Sequence, residues 1–326
     1  IMIRSILLAV LLLVVLLLII LGIIKIRNSK IQDYYDTENG YTRILKNEQA
    51  AQNRLTPFAT ELAVINQDTS ELTDMFTAQS GLLTKCGNGN IRYTRAAMER
   101  MNPASTTKIM TALCALRYGN LNDQVVITPE AMVLEAGASL ANIQPGQIYT
   151  LRQLLYGLML PSGNDAANAI AIHISGSVDA FADLMNREAE ELGAVDTHFC
   201  NPHGMTEEEH YTSAYDLYLI MNEALKYPDF VSICKTKEYN VEYMNDDGTY
   251  SSRLWKNTNK YATGDKELPD SLLLEAGKTG TTTAAGHCLV LAVSDGNEDS
   301  YISIVLKGDS TDSLYNNMDY LLSGIE

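Results

Sequence analysis

Positive charge and cysteine are both in short supply in this sequence. Against 40 Asp and Glu stand only 24 Lys and Arg, so the 326-residue chain carries a net charge of −16 and a pI near 4.7. That balance argues against a nucleic-acid partner, because such partners need basic stripes. The five cysteines, at 86, 114, 200, 234 and 288, are odd in number, and no pair has C-x-x-C spacing. Neither a zinc ribbon nor a disulfide framework is expected, though one isolated disulfide stays open. Cys114 falls in an apolar stretch and suits a small core residue. His203 and His210 lie close together in "NPHGMTEEEH", yet no H-E-x-x-H and no Cys/His cluster accompanies them. A loop and helix-start role is expected for them, with no metal and no cofactor. Neither internal repeats nor low-complexity tracts occur beyond the first 30 residues.

Apolar residues are plentiful, at 46% of the chain, enough for a real core. One block stands apart. Ser5 to Ile24, "SILLAVLLLVVLLLIILGII", is uncharged throughout, long enough to cross a bilayer core as a helix. Lys25, Arg27 and Lys30 follow without an A-x-A pattern. An uncleaved transmembrane signal anchor over 1–27 is expected; a cleaved signal is the alternative. Only Arg4 precedes the block, so basic residues near its ends favour a cytoplasmic C-terminal side and leave orientation open. Residues 28–77 are polar and irregular apart from "LAVI", and read as a stalk.

The pattern tightens over 78–326, which is assigned as the functional domain. "SGLLTK" and "IRYT" read as strands joined by "CGNGN", whose Asn-Gly steps suit a hairpin. A long helical stretch is expected from Thr106 to about Lys226. "GHCLVLAVSD" and "SYISIVLKGD" read as adjacent strands split by "GNED", and 311–325 as a final helix with Leu314, Met318, Leu321 and Leu322 on one face. Strands at both ends and helices between them predict an α/β (α+β) domain: one antiparallel sheet built from both chain ends, flanked by helices, with an inserted helical lobe.

Three short motifs carry chemistry. In "NPASTTKIMTA", 102–112, Lys108 follows Ser105 by three residues where an apolar helix begins with Ile109, Met110, Leu113 and Leu116. Residues at i and i+3 share a helix face, so the two side chains meet. Burial would favour the neutral amine, a candidate base for the serine hydroxyl. In isolation, S-x-x-K arises by chance in many proteins, and an N-cap serine beside a snorkelling lysine is the better explanation of the motif. In "LPSGNDAA", 160–167, Ser162 and Asn164 occupy a turn between a helix ending at Pro161 and one beginning near Asp165; ordinary turn chemistry is the bland alternative. In "EAGKTGTTT", 275–283, Lys278, Thr279 and Thr281 alternate with Gly280 along an expected strand, where glycine admits a ligand backbone. Ser213 and Asp216 resemble an N-capping pair, and Glu207–Glu209 a solvated charge run.

S-x-x-K, S-x-N and K-T-G in this order resemble the motif set of penicillin-binding proteins and class A β-lactamases. With "ERMNPASTTKIMTALCAL", "NPHGMTEEEHYTSAYDL" and "GKTGTTTAAGHCLV", residues 78–309 resemble the low-molecular-mass penicillin-binding proteins, the serine D-alanyl-D-alanine carboxypeptidases. The resemblance implies removal of the terminal D-alanine from peptidoglycan stem pentapeptides, with β-lactams as covalent inhibitors. It implies Ser105 as nucleophile, Lys108 as its base and Ser162 as the relay of a proton to the leaving nitrogen. Asn164 would hold the substrate amide and fix Lys108. Lys278 would supply positive charge for the relay and for the substrate's terminal carboxylate, and Thr279 and Thr281 would hydrogen-bond that carboxylate. Backbone N–H groups of Ser105 and Thr281 would form the oxyanion hole. Many members carry a second β-rich domain and an amphipathic membrane helix. Here only about 17 residues follow Asp309, so both are expected to be absent, with the N-terminal anchor as tether. A class A β-lactamase is one alternative, but residues 190–193 read "EELG" and no E-x-x-L-N activates a deacylating water there. A non-catalytic sensor of penicillin or wall peptide is the other; its motifs would be expected to decay, and all are intact. Because stem peptide lies outside the membrane, 31–326 are expected to be extracytoplasmic in a single-pass bacterial membrane protein.

Overall fold

The computed structural model describes residues 75–87, 91–297 and 299–325. The expected anchor, and the stalk up to residue 74, lie outside the described residues. Phe76, assigned to the stalk from its sequence, is buried in the core.

The sheet of both chain ends forms as its residue pattern requires. Strands β1 (Ser80–Lys85), β2 (Ile91–Arg95), β7 (Leu272–Thr282), β8 (Gly286–Asp295) and β9 (Ser300–Gly308) pair antiparallel in the order β2-β1-β9-β8-β7. Its central strands are apolar on both faces because both faces are covered. Along β8, Cys288, Val290 and Ala292 enter one core cluster, while Leu289, Leu291 and Val293 enter the other. The first cluster is shared with the helical part of the molecule. The second lies under the C-terminal helix, through Leu314, Met318, Leu321 and Leu322. Each such side chain contributes about 1.5–3 kcal/mol relative to exposure.

The middle of the chain departs from expectation. Helices α1 (Lys108–Tyr118), α2 (Leu151–Met159), α3 (Asn164–Ser175), α4 (Val178–Glu191) and α5 (Ala214–Ala224) fill it, but strands β3 (Gln124–Val126) and β4 (Ile148–Thr150) interrupt them. These pair with β5 (Glu238–Met244) and β6 (Tyr250–Lys256) in a second sheet, ordered β3-β4-β5-β6. Strands β3 and β4, of three residues each, are too short to show a period of two in the sequence. The Asp-Gly step in the β5–β6 turn was a local signal of this sheet. Helices α6 (Pro228–Lys235), α7 (Lys260–Thr263) and α8 (Thr311–Leu322) complete the fold. All five cysteines are free. No helix among the described residues is long and apolar enough to cross a membrane.

Candidate active site

The first motif sits on a turn held from below. After Pro103, Ala104 adopts φ 48 and opens a 3-10 turn, Ala104–Thr107, that runs directly into α1. That left-handed backbone is unfavourable for alanine and persists because its surroundings dictate it. Gly204 is pressed against it: a Cβ on Gly204 would lie 1.8 Å from the Ala104 carbonyl oxygen. Met101 exchanges both backbone hydrogen bonds with Thr212, at 2.7 and 2.9 Å, which fixes the approach to the turn.

Lys108 is fully buried. Its Nζ lies 2.9 Å from Ser105 Oγ, 2.8 Å from Asn164 Oδ1 and 2.8 Å from the His203 carbonyl oxygen. None of these partners is an anion. Burial, and then the positive charge of Lys278, drive its pKa well below 10.5; the charge of Asp165 opposes this only weakly. A neutral amine has two N–H donors and one lone pair. The Asn164 and His203 oxygens can only accept, so they take the two N–H groups, and the lone pair faces the Ser105 hydroxyl. After proton transfer the ammonium would find three acceptors in the same places. The geometry therefore serves both protonation states.

The second motif is a strained turn at the head of α3. Ser162 has φ 62 and is 5% exposed, and its Oγ has no hydrogen-bond partner among the described residues. Gly163 has no room for a side chain, since a Cβ would sit 2.7 Å from the Ala141 backbone nitrogen. Asp165 ties this turn to the neighbouring loop by accepting from Ala141 N at 2.8 Å and Ile143 N at 3.1 Å. Asn164 N donates to the Ser139 carbonyl at 2.8 Å.

The third motif lies on β7, at the edge of the five-stranded sheet. Lys278 is buried, and its Nζ donates to the Thr279 carbonyl at 2.8 Å. Burial pushes its pKa down to about 7. Gly280 brings β7 against the first motif: a Cβ there would lie 2.8 Å from Ser105 N and 3.0 Å from Thr106 N. Thr279 Oγ1 is 2.7 Å from Thr258 Oγ1, and Thr281 Oγ1 is 3.3 Å from His287 Nδ1. Between the walls is a cleft of ≈ 240 Å³ onto which Ser105, Ser162, Thr279 and Thr281 open. Lys108, Asn164 and Lys278 stand behind this lining, so all seven expected residues converge, in two layers.

Sequence reasoning missed several contributors. The His203 carbonyl holds Lys108, and a backbone acceptor is invisible in side-chain identity. Ser139 and Thr258, in loops, and Lys260, at the start of α7, line the cleft with no motif of their own. The loop role expected of the histidines holds. His210 Nδ1 accepts from Cys200 N at 3.1 Å, so its Nε2–H donates to Thr107 Oγ1 at 3.0 Å. Burial pushes both His203 and His210 down to about 3, which keeps them neutral. Ser213 caps α5 by accepting from Asp216 N at 3.1 Å, and Glu207–Glu209 are exposed.

A family model described as D-alanyl-D-alanine carboxypeptidase matches residues 66–310. The chain belongs to that family. Among relatives of this carboxypeptidase family, it is 36% identical over 233 residues to D-alanyl-D-alanine carboxypeptidase DacF of Bacillus subtilis (strain 168), covering 70% of this chain and 57% of that one. It is 37% identical over 245 residues to the D-alanyl-D-alanine carboxypeptidase of Streptomyces sp. (strain K15), covering 72% and 81%. The crystal structure of the Streptomyces K15 DD-transpeptidase superposes with a TM-score of 0.70 at 33% identity, covering 78% of this chain and 97% of that one. The chain thus spans little more than half of the DacF length but most of the K15 length.

Proposed function

We propose that the protein is a serine D-alanyl-D-alanine carboxypeptidase that trims peptidoglycan stem peptides and is acylated by β-lactams. The observation that carries this reading is the buried Lys108 amine, 2.9 Å from Ser105 Oγ and short of any anionic partner. Lys108 takes the Ser105 proton as Oγ attacks the penultimate D-alanine carbonyl. The oxyanion is met by the Ser105 and Thr281 backbone N–H groups, a type of contact that commonly supplies much of the rate. As the C–N bond breaks, the unpartnered Ser162 hydroxyl passes a proton to the departing D-alanine nitrogen, drawing on Lys108 and Lys278 behind it. Asn164 holds the substrate amide and fixes Lys108, and Thr279 and Thr281 bind the terminal carboxylate. Water then attacks the Ser105 ester, with Lys108 again as base, releasing the shortened peptide.

Stem peptide lies outside the cytoplasmic membrane, so we place the catalytic domain there, tethered by the apolar block Ser5–Ile24. Protease added to wall-stripped cells should remove the domain; protection until the membrane is broken would reverse the orientation. The activity itself is tested by incubating the protein with a peptide ending in D-Ala-D-Ala. Release of one D-alanine per peptide, with stoichiometric fluorescent-penicillin labelling, is expected. A protein that neither releases D-alanine nor takes the label would overturn the reading.

A further inference from the structure

We propose that Lys260 is the cation that recognises the free carboxylate at the substrate's C-terminus and so sets the preference for a terminal residue; this rests on the carboxypeptidase reading above. The cleft differs in charge from the molecule around it. The chain has 40 acidic residues, yet among the described residues none of them lines this cleft, whereas Lys260 and His287 do. An acid-rich protein that keeps one cleft free of acids presents it to an anion.

The two motif lysines are poorly placed to hold that anion. Both are buried behind the cleft lining. Lys108 is turned to Ser105, Asn164 and His203, and Lys278 to the Thr279 carbonyl of its own strand. With a pKa near 7, Lys278 is also only partly charged at neutral pH. Threonine hydroxyls alone compensate a desolvated carboxylate weakly, whereas an added cation makes the contact charge-assisted.

Lys260 is held for the task. It follows Asn259, whose side chain caps α7 by accepting from Tyr261 N at 3.1 Å. Its own backbone N–H donates to Tyr315 Oη at 2.9 Å, and its Nζ lies 5.1 Å from the centre of the Tyr315 ring, another cleft wall. Thr258, two residues earlier, is bonded to Thr279 at 2.7 Å, which ties this segment to the threonines of the third motif. Lys260 makes no ion pair among the described residues.

The test compares a peptide ending in D-Ala-D-Ala as free acid with the same peptide as C-terminal amide, on the full chain and its Lys260→Gln and Lys260→Arg variants. The wild type should prefer the acid. Lys260→Gln should lose about 10- to 100-fold in kcat/KM for the acid, mostly through KM, as expected for a charged hydrogen bond. For the amide it should change by less than about 3-fold, the scale of an exposed charge effect. Lys260→Arg should retain the preference. If Lys260→Gln lowers both substrates equally, or leaves the ratio of acid to amide unchanged, the inference is wrong while the carboxypeptidase reading stands. A wild type that cleaves neither peptide and takes no fluorescent penicillin would instead remove the reading on which it rests.

Discussion

The two walls of the cleft are built on different principles. The helical wall holds a half-buried Ser105 and the buried Lys108 and Asn164 in a network in which Lys108 Nζ reaches the other two at 2.8–2.9 Å. The strand wall presents Thr279 and Thr281, which are half-buried and exposed, together with Lys260 on a neighbouring segment. Low dielectric and fixed geometry suit a group that must change its protonation state. Accessible hydroxyls and a half-buried cation suit a ligand that must enter and leave. Chemistry and recognition are thereby divided between the two sides, with Gly280 as the contact between them.

The division is broken most severely on the helical side. Ser105→Ala should abolish covalent penicillin labelling, read directly on a gel; labelling that persists would place the nucleophile elsewhere. Lys108→Ala should slow acylation by about 10²–10⁴-fold, the range for loss of a general base. Lys108→Arg should be nearly as slow, since a guanidinium does not deprotonate near neutral pH. Stopped-flow acylation distinguishes the two roles, because a fast Arg variant would make Lys108 a fixed charge.

Gly280→Ala tests the contact between the walls. Its methyl group would meet Ser105 N at 2.8 Å, so the walls must part. A displacement approaching 1 Å costs about 10²-fold in rate, and overpacking costs about 1–3 kcal/mol in stability. Unchanged acylation with an unchanged melting curve would show that the walls are not in close register.

Lys278 sharpens the comparison through pH. Acylation should rise with pH as Lys108 loses its proton, then fall above about pH 7 as Lys278 does the same. Lys278→Arg should remove the alkaline fall while keeping the acid limb; an identical profile would exclude Lys278 as its source. The stability consequence has a definite sign. Unfolded Lys278 keeps its proton up to about 10.5, and the folded form releases it near 7. The unfolded state therefore binds more protons between these values, and the contribution of Lys278 to stability becomes more favourable as pH rises through that window. Urea titrations of wild type and Lys278→Met at several pH values measure it. The smallest effect belongs to the strand wall: Thr281→Val should raise KM about 10-fold with little change in kcat, the scale of one hydrogen bond to a charged group.

Much of this arrangement was legible beforehand. The three motifs were visible as residue types at fixed spacing, and two of them follow local periodicities: i, i+3 for Ser105 and Lys108, and the alternation along β7. The five-stranded sheet was legible because β8 and β9 are long apolar runs between turn residues. Strands β3 and β4 of the second sheet were not, because they have three residues each and are strands only by virtue of their partners. The His203 carbonyl was hidden for a similar reason, since every residue has one and only the fold selects which is used.

The sequence by itself determined the chemical inventory: a serine and a lysine one helical turn apart, a serine turn between two helices and a glycine-spaced strand, each specified by neighbours within a few residues. Only the tertiary structure decided that Lys108 touches no anion, that Ser162 Oγ has no partner among the described residues, and that none of the described acids lines the cleft. These are properties of what surrounds a side chain across 56 to 95 residues of intervening sequence in the case of Lys108. Burial and pKa depend on that surrounding volume, which no local pattern encodes.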